Sequence, residues 1–90
     1  MATNLAVQCA VYGALAKGSP NGTAAADVSV ALQKALDKSP EGTVTINNTT
    51  MNGDPCPGYD KHFGAVVVRD GKPRYFACAE GQTINFEVGG

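Results

Sequence analysis

Phe63-Gly64-Ala65-Val66-Val67-Val68-Arg69-Asp70-Gly71-Lys72-Pro73-Arg74-Tyr75-Phe76-Ala77-Cys78-Ala79 decides the fold class. Two runs of apolar, β-branched and aromatic residues flank Asp70-Gly71. An Asp-Gly pair between such runs marks a two-residue hairpin turn, because both residues tolerate the positive φ that the turn requires. Phe63 to Arg69 is therefore one strand, and Lys72 or Pro73 to Ala79 returns beside it. Pro73 has no N–H to give to a ladder, so it belongs at a strand start or on a sheet edge. Glu80-Gly81 turns the chain again. Thr83 to Val88 then closes a meander, with Ile84, Phe86 and Val88 facing one way.

Upstream, Asn52-Gly53, Asp54-Pro55 and Pro57-Gly58 are three turn dipeptides in succession, which makes Thr49 to Lys61 a loop. Thr43 to Asn48 is a short β-branched strand, with Val44 and Ile46 on one face and Thr45 and Asn47 on the other. Before it, Val28, Ala31, Leu32, Ala35 and Leu36 recur at helical spacing and form one apolar stripe. Asp27 opens that helix by accepting from the free N–H groups of its first turn, and Ser39-Pro40-Glu41-Gly42 stops it near Lys38. Gly13 to Thr23, with Gly18, Ser19, Pro20, Asn21 and Gly22, reads as a long connection without a second strand. Leu5 to Tyr12 alternates as a strand. The expected fold is one β-rich α+β domain over residues 1–90. It has about five antiparallel strands, as a twisted sheet or small sandwich, and one helix near 27–38 against an apolar face.

Seven Lys and Arg against eight Asp and Glu leave a net charge of -1 over 90 residues. Seven scattered cations do not build the basic face that nucleic acid needs, so no nucleic-acid partner is expected. No apolar run approaches the roughly 18 residues that span a bilayer, and no membrane insertion is expected. Leu5 to Ala16 ends in Ala14-Leu15-Ala16 and superficially resembles a secretory leader. Met1-Ala2-Thr3-Asn4 carries no positive charge and Gln8 interrupts the run, so the segment reads as a buried strand in a cytoplasmic protein.

Three cysteines are neither a disulfide framework nor a zinc pattern. Alternation places Cys9 and Cys78 on core faces, while Cys56, between Pro55 and Pro57, is expected in an exposed loop. Cys56 and His62 lie close in sequence, yet no motif surrounds them that would make a nucleophile and its base. No catalytic residues, no cofactor and no metal site are expected. Asp54 and Asp60 fall far short of the six to eight oxygens of a calcium site.

Several short motifs run in a recognisable order. They are Ala10-Val11-Tyr12-Gly13-Ala14-Leu15, Asp27-Val28-Ser29 leading to Leu32-Gln33, Gly53-Asp54-Pro55-Cys56-Pro57-Gly58 followed by Lys61, and a late Glu80-Gly81-Gln82-Thr83-Ile84. From about residue 5 to 86 this order resembles the C-terminal domain of unknown function found in the mitochondrial outer-membrane J-protein linked to cristae organisation. It is similar, too, to small free-standing microbial and fungal proteins with that domain. The resemblance implies a compact β-rich domain with a non-catalytic binding or assembly role, and it supplies no catalytic residues to transfer. This chain has no J-domain with its His-Pro-Asp signature, so chaperone recruitment does not carry over.

The residues themselves point to the loop from Asn52 to His62 as the recognition surface. Asp54 can fold back onto following N–H groups while Pro55 and Pro57 stiffen the path. A rigid loop on a sheet is a good platform for binding residues. Asn52, Asp54, Tyr59, Asp60, Lys61 and His62 are the candidate contacts, for a protein or a carbohydrate partner. The plainer reading is that Asp54 and Lys61 only clamp the loop. Asn47-Asn48-Thr49-Thr50 beside Tyr59 or Tyr75 suits sugar hydroxyls, although the chain lacks Trp, the best stacking platform. A domain of this size buries a modest fraction of its surface, which leaves room for a homodimer. The alternative function rests on Gly89-Gly90 after a strand. That ending resembles β-grasp sulfur-carrier and ubiquitin-like proteins, whose C-terminal carboxylate is activated in a narrow cleft.

Overall fold

Asp70 and Gly71 both sit at positive φ, 55° and 79°, as the two-residue turn demands. In the computed structural model, which describes residues 5–16 and 23–90, this turn joins strands β4 (His62–Arg69) and β5 (Lys72–Ala79). The remaining elements are β1 (Leu5–Leu15), β2 (Thr23–Asp27), helix α1 (Ser29–Asp37), β3 (Thr43–Thr45) and β6 (Thr83–Asn85). Strands β2-β1-β4-β5 form an antiparallel sheet in that order, and β3-β6 form a second, two-stranded one. The chain is thus α+β and strand-rich. Pro73 lies on the edge strand β5, where its missing N–H costs no ladder bond. Among the described residues no helix is long and apolar enough to cross a membrane.

Strand β1 departs from simple alternation. Its register against β4 slips between Val7 and Cys9, an extra residue that turns the following side chains over. Leu5 is buried before the slip; Ala10 and Tyr12 are buried after it, and Cys9 and Val11 face outward. Cys9 is therefore exposed, against the expectation from period-2 counting. Cys56 is buried and Cys78 half-buried. The Cys56 loop folds inward, and burial pushes the Cys78 thiol up from 9.0.

A strand also lies where none was expected. β2 pairs with Val11 to Leu15, and β1 runs three residues beyond Tyr12. Thr23-Ala24-Ala25-Ala26-Asp27 has little strand propensity and no apolar alternation. Its conformation comes from the ladder offered by β1. The expected connection over Lys17 to Gly22 lies outside the described residues.

Where β2 ends, the helix takes over the free edge of β1. The Ser29 hydroxyl accepts from Ala10 N–H, the Gln33 side-chain oxygen accepts from Val7 N–H, and the Gln33 amide donates to Leu5 O. Asp27 Oδ1 accepts from both the Ser29 N–H and its hydroxyl, but the cap position is held by Val28, so Asp27 ties down the first helical residue from the end of β2 rather than capping the helix itself. The stripe buries Val28, Leu32 and Leu36 fully and Ala31 and Ala35 partly.

The last strand corrects the meander. β6 leaves the main sheet and pairs with β3, and it ends at Asn85. Asn85 Oδ1 accepts from Glu87 N–H, a local turn that halts the strand and leaves Val88 exposed while Phe86 is buried. Phe86 packs against Phe76 and edge-on to Phe63. Helix α1 and the β3-β6 pair thus cover one face of the four-stranded sheet, and Tyr12, Phe63, Val67 and Phe76 meet Leu32, Ile46 and Phe86 there.

Candidate functional site

The register of the hairpin brings Lys61 opposite Glu80. Lys61 N–H donates to Glu80 Oε1 at 3.0 Å, and Glu80 N–H donates to Lys61 O at 2.8 Å. The Lys61 side chain turns into the protein and is only 3% exposed. Its Nζ lies 2.8 Å from Asp54 Oδ1 and 3.3 Å from Glu80 Oε1. It also donates to Tyr59 O at 2.9 Å and Cys56 O at 3.3 Å. An ammonium has three N–H donors and no acceptor, so carboxylates and carbonyls are the surroundings that a buried one requires. Asp54 Oδ1 accepts from Cys56 N–H at 3.2 Å, the local fold-back expected of Asp before Pro.

These contacts set the electrostatics. The hydrogen bond from Lys61 holds the Asp54 carboxyl below its ordinary 3.8. The Lys61 backbone N–H, with the ammonium behind it, holds Glu80 below 4.5. Asp54 and then Glu80 raise Lys61 above 10.5 against the opposing effect of desolvation. At neutral pH the cluster carries one cation and two anions.

Met51 and Cys56 are the buried anchors of the loop, 3% exposed each, and the stretch between them swings outward. Asn52, Tyr59, Asp60 and His62 are exposed, with Asn52 at φ 64°. Of the six candidate contacts, these four face solvent without holding the loop, Asp54 is exposed as well but is tied to Lys61, and Lys61 alone is buried. Glu80 escaped the sequence reading, which treated it as a turn residue. The signal was there, since pairing outward from Asp70-Gly71 sets Lys61 against Glu80. The Asn and Thr cluster is largely spent on the fold. Asn47 Oδ1 accepts from Thr50 N–H, Thr50 Oγ1 donates to Thr45 O, and Asn48 Oδ1 accepts from the Tyr12 hydroxyl at 2.6 Å. Burial raises the Tyr12 hydroxyl above 10.0, with Glu80 adding to the shift.

No family model, no curated protein and no solved structure matches this chain.

Two other regions bear on function. A cleft of about 760 Å³ opens between α1 and β3, with Lys34 and Lys38 on one wall and Thr43, Thr45, Thr49 and Asn52 on the other. The C-terminal glycines lie against the sheet. Arg69 Nη1 donates to Gly89 O at 2.9 Å and to Phe86 O at 2.7 Å, and Gly89 N–H donates to Asn85 O. A Cβ at Gly90 would come within 2.9 Å of Phe76 Cζ and Arg74 Cβ. Among the described residues, no three His, Cys, Asp or Glu side chains are grouped to hold a metal ion.

Proposed function

We propose that this chain is a non-catalytic cytoplasmic binding or assembly module that recognises its partner through the loop from Asn52 to His62. The observation that carries the reading is the buried Lys61 ammonium. It fastens the loop through Asp54 and the Cys56 and Tyr59 carbonyls, and fastens it through Glu80 to the turn that follows β5. Tyr59, Asp60, His62 and Asn52 are then presented on a backbone whose ordering cost is met before binding. Tyr59 supplies an aromatic face, and its neighbours supply a carboxylate, an imidazole and an amide. A protein partner suits this set better than a glycan, because Asn47, Asn48 and Thr50 already satisfy each other and the fold.

The experiment pairs a glycan array with cross-linked capture of protein partners. The double variant Tyr59→Ala, His62→Ala removes the display and keeps the clamp. Loss of the captured partner or glycan with an unchanged cooperative melt is the expected outcome. A ligand bound equally well by the variant would move the site elsewhere.

A second reading, the sulfur carrier, gains from one observation. The hairpin of β1 and β2 leading into α1 is the opening that such a fold uses. Its chemistry would require Gly89 to leave Arg69 and the tail to extend.

A further inference from the structure

Among the described residues, one face of the four-stranded sheet is covered by α1 and the β3-β6 pair, and the opposite face is bare. An antiparallel sheet that faces water on one side ordinarily carries polar residues there. Here the charged side chains Arg69 and Arg74 point to the covered side, opposite Lys72 and Val67 in the register. Across β1, β4 and β5 the bare side presents Cys9, Val11, Gly64, Val66, Tyr75 and Ala77, with His62 at one rim. Val11 is 49% and Tyr75 64% exposed. A shallow groove of about 440 Å³ crosses this face over Gly64, walled by Val11, Cys9 and Val66 and ending at Ala25 and Asp27 of β2.

We infer that this face is covered by a second copy of the same chain, packed about a two-fold axis, with Tyr75 of each subunit seated in the groove over Gly64 of the other. One molecule carries both the large projecting side chain and the hole. A two-fold axis lying over β4 between Gly64 and Val66 therefore makes each contact twice, as an isologous interface requires. No charge in the middle of the face is buried or set against its own copy. A buried Tyr needs a partner for its hydroxyl, and Asp27, exposed at the groove's β2 end, provides a carboxylate acceptor. The area suffices. Four strands about 4.8 Å apart, with about seven residues of about 3.3 Å each, give a face of roughly 19 by 23 Å. Two such faces with their side-chain relief bury on the order of 1,000–1,200 Å², at the lower end of specific interfaces. The dimer is accordingly weak and reversible.

Gly64 provides the test. A Cβ there meets only Phe76 O and Val11 Cγ1, each at 3.9 Å, so a side chain fits the fold while it fills the groove. In a concentration series by sedimentation equilibrium, the wild-type chain passes from monomer to dimer. Gly64→Ile and, independently, Tyr75→Ser raise the dissociation constant by roughly tenfold or more, while both keep a cooperative melt. Alkylation of Cys9 slows as wild-type concentration rises and does not slow in Gly64→Ile. A wild-type chain that stays monomeric throughout the series overturns the inference. So does a folded Tyr75→Ser or Gly64→Ile variant that dimerises as tightly as wild type.

Discussion

Lys61 joins two carboxylates and two carbonyls, and its position makes stability depend on pH from both sides. Asp54 and Glu80 are held below 3.8 and 4.5 in the folded chain. Their contribution is therefore complete above those values and is lost as pH falls through the lower, folded ones. Lys61 is held above 10.5, so its contribution is complete below that value and lost as pH rises through the higher, folded one. The cluster supports the fold fully between about pH 4.5 and 10.5, with a loss on each flank. Thermal melts from acid to alkaline pH will show that plateau. In Lys61→Met the acid and alkaline losses will be smaller and the plateau lower, since the ammonium that holds Asp54 and contributes to the Glu80 shift is gone. A variant with the wild-type profile would mean that the cluster does not act in this way.

Among the elements, β1 shows how a single residue changes exposure. The slip between Val7 and Cys9 places Cys9 outside and Tyr12 inside. Native-state alkylation at low protein concentration will modify Cys9 first, the half-buried Cys78 more slowly, and Cys56 only on unfolding. Rapid labelling of Cys56 would show that the loop does not fold inward. The central hairpin, the helix stripe and the Asp54 fold-back were legible because each depends on neighbours in sequence. Asp70-Gly71, Val28 to Leu36 and Asp54-Pro55 needed no distant partner. The bulge, β2 and the β3-β6 pairing were not legible. Ala24 to Ala26 becomes a strand only because Tyr12 to Ala14 lies beside it, and β6 pairs with β3 across the molecule. At the site the Asp54–Lys61 clamp was legible as the plainer of two readings, while the burial of Lys61, which depends on how the loop folds onto the sheet, was not.

For the molecule as a whole, the covered face of the sheet holds the core, and the clamped loop sits at the strand end where β4 begins. The central claim is that Lys61 holds this loop rigid as a display surface. Amide hydrogen exchange followed residue by residue tests it most directly, because it reads local opening separately from global unfolding. Wild-type Cys56, Tyr59 and Lys61 amides should exchange far more slowly than those of an open loop. In Lys61→Met they should exchange roughly tenfold faster or more, with β1 and β4 still protected. Fast exchange across residues 54–61 in the wild-type chain, or no change on removing Lys61, would contradict the account.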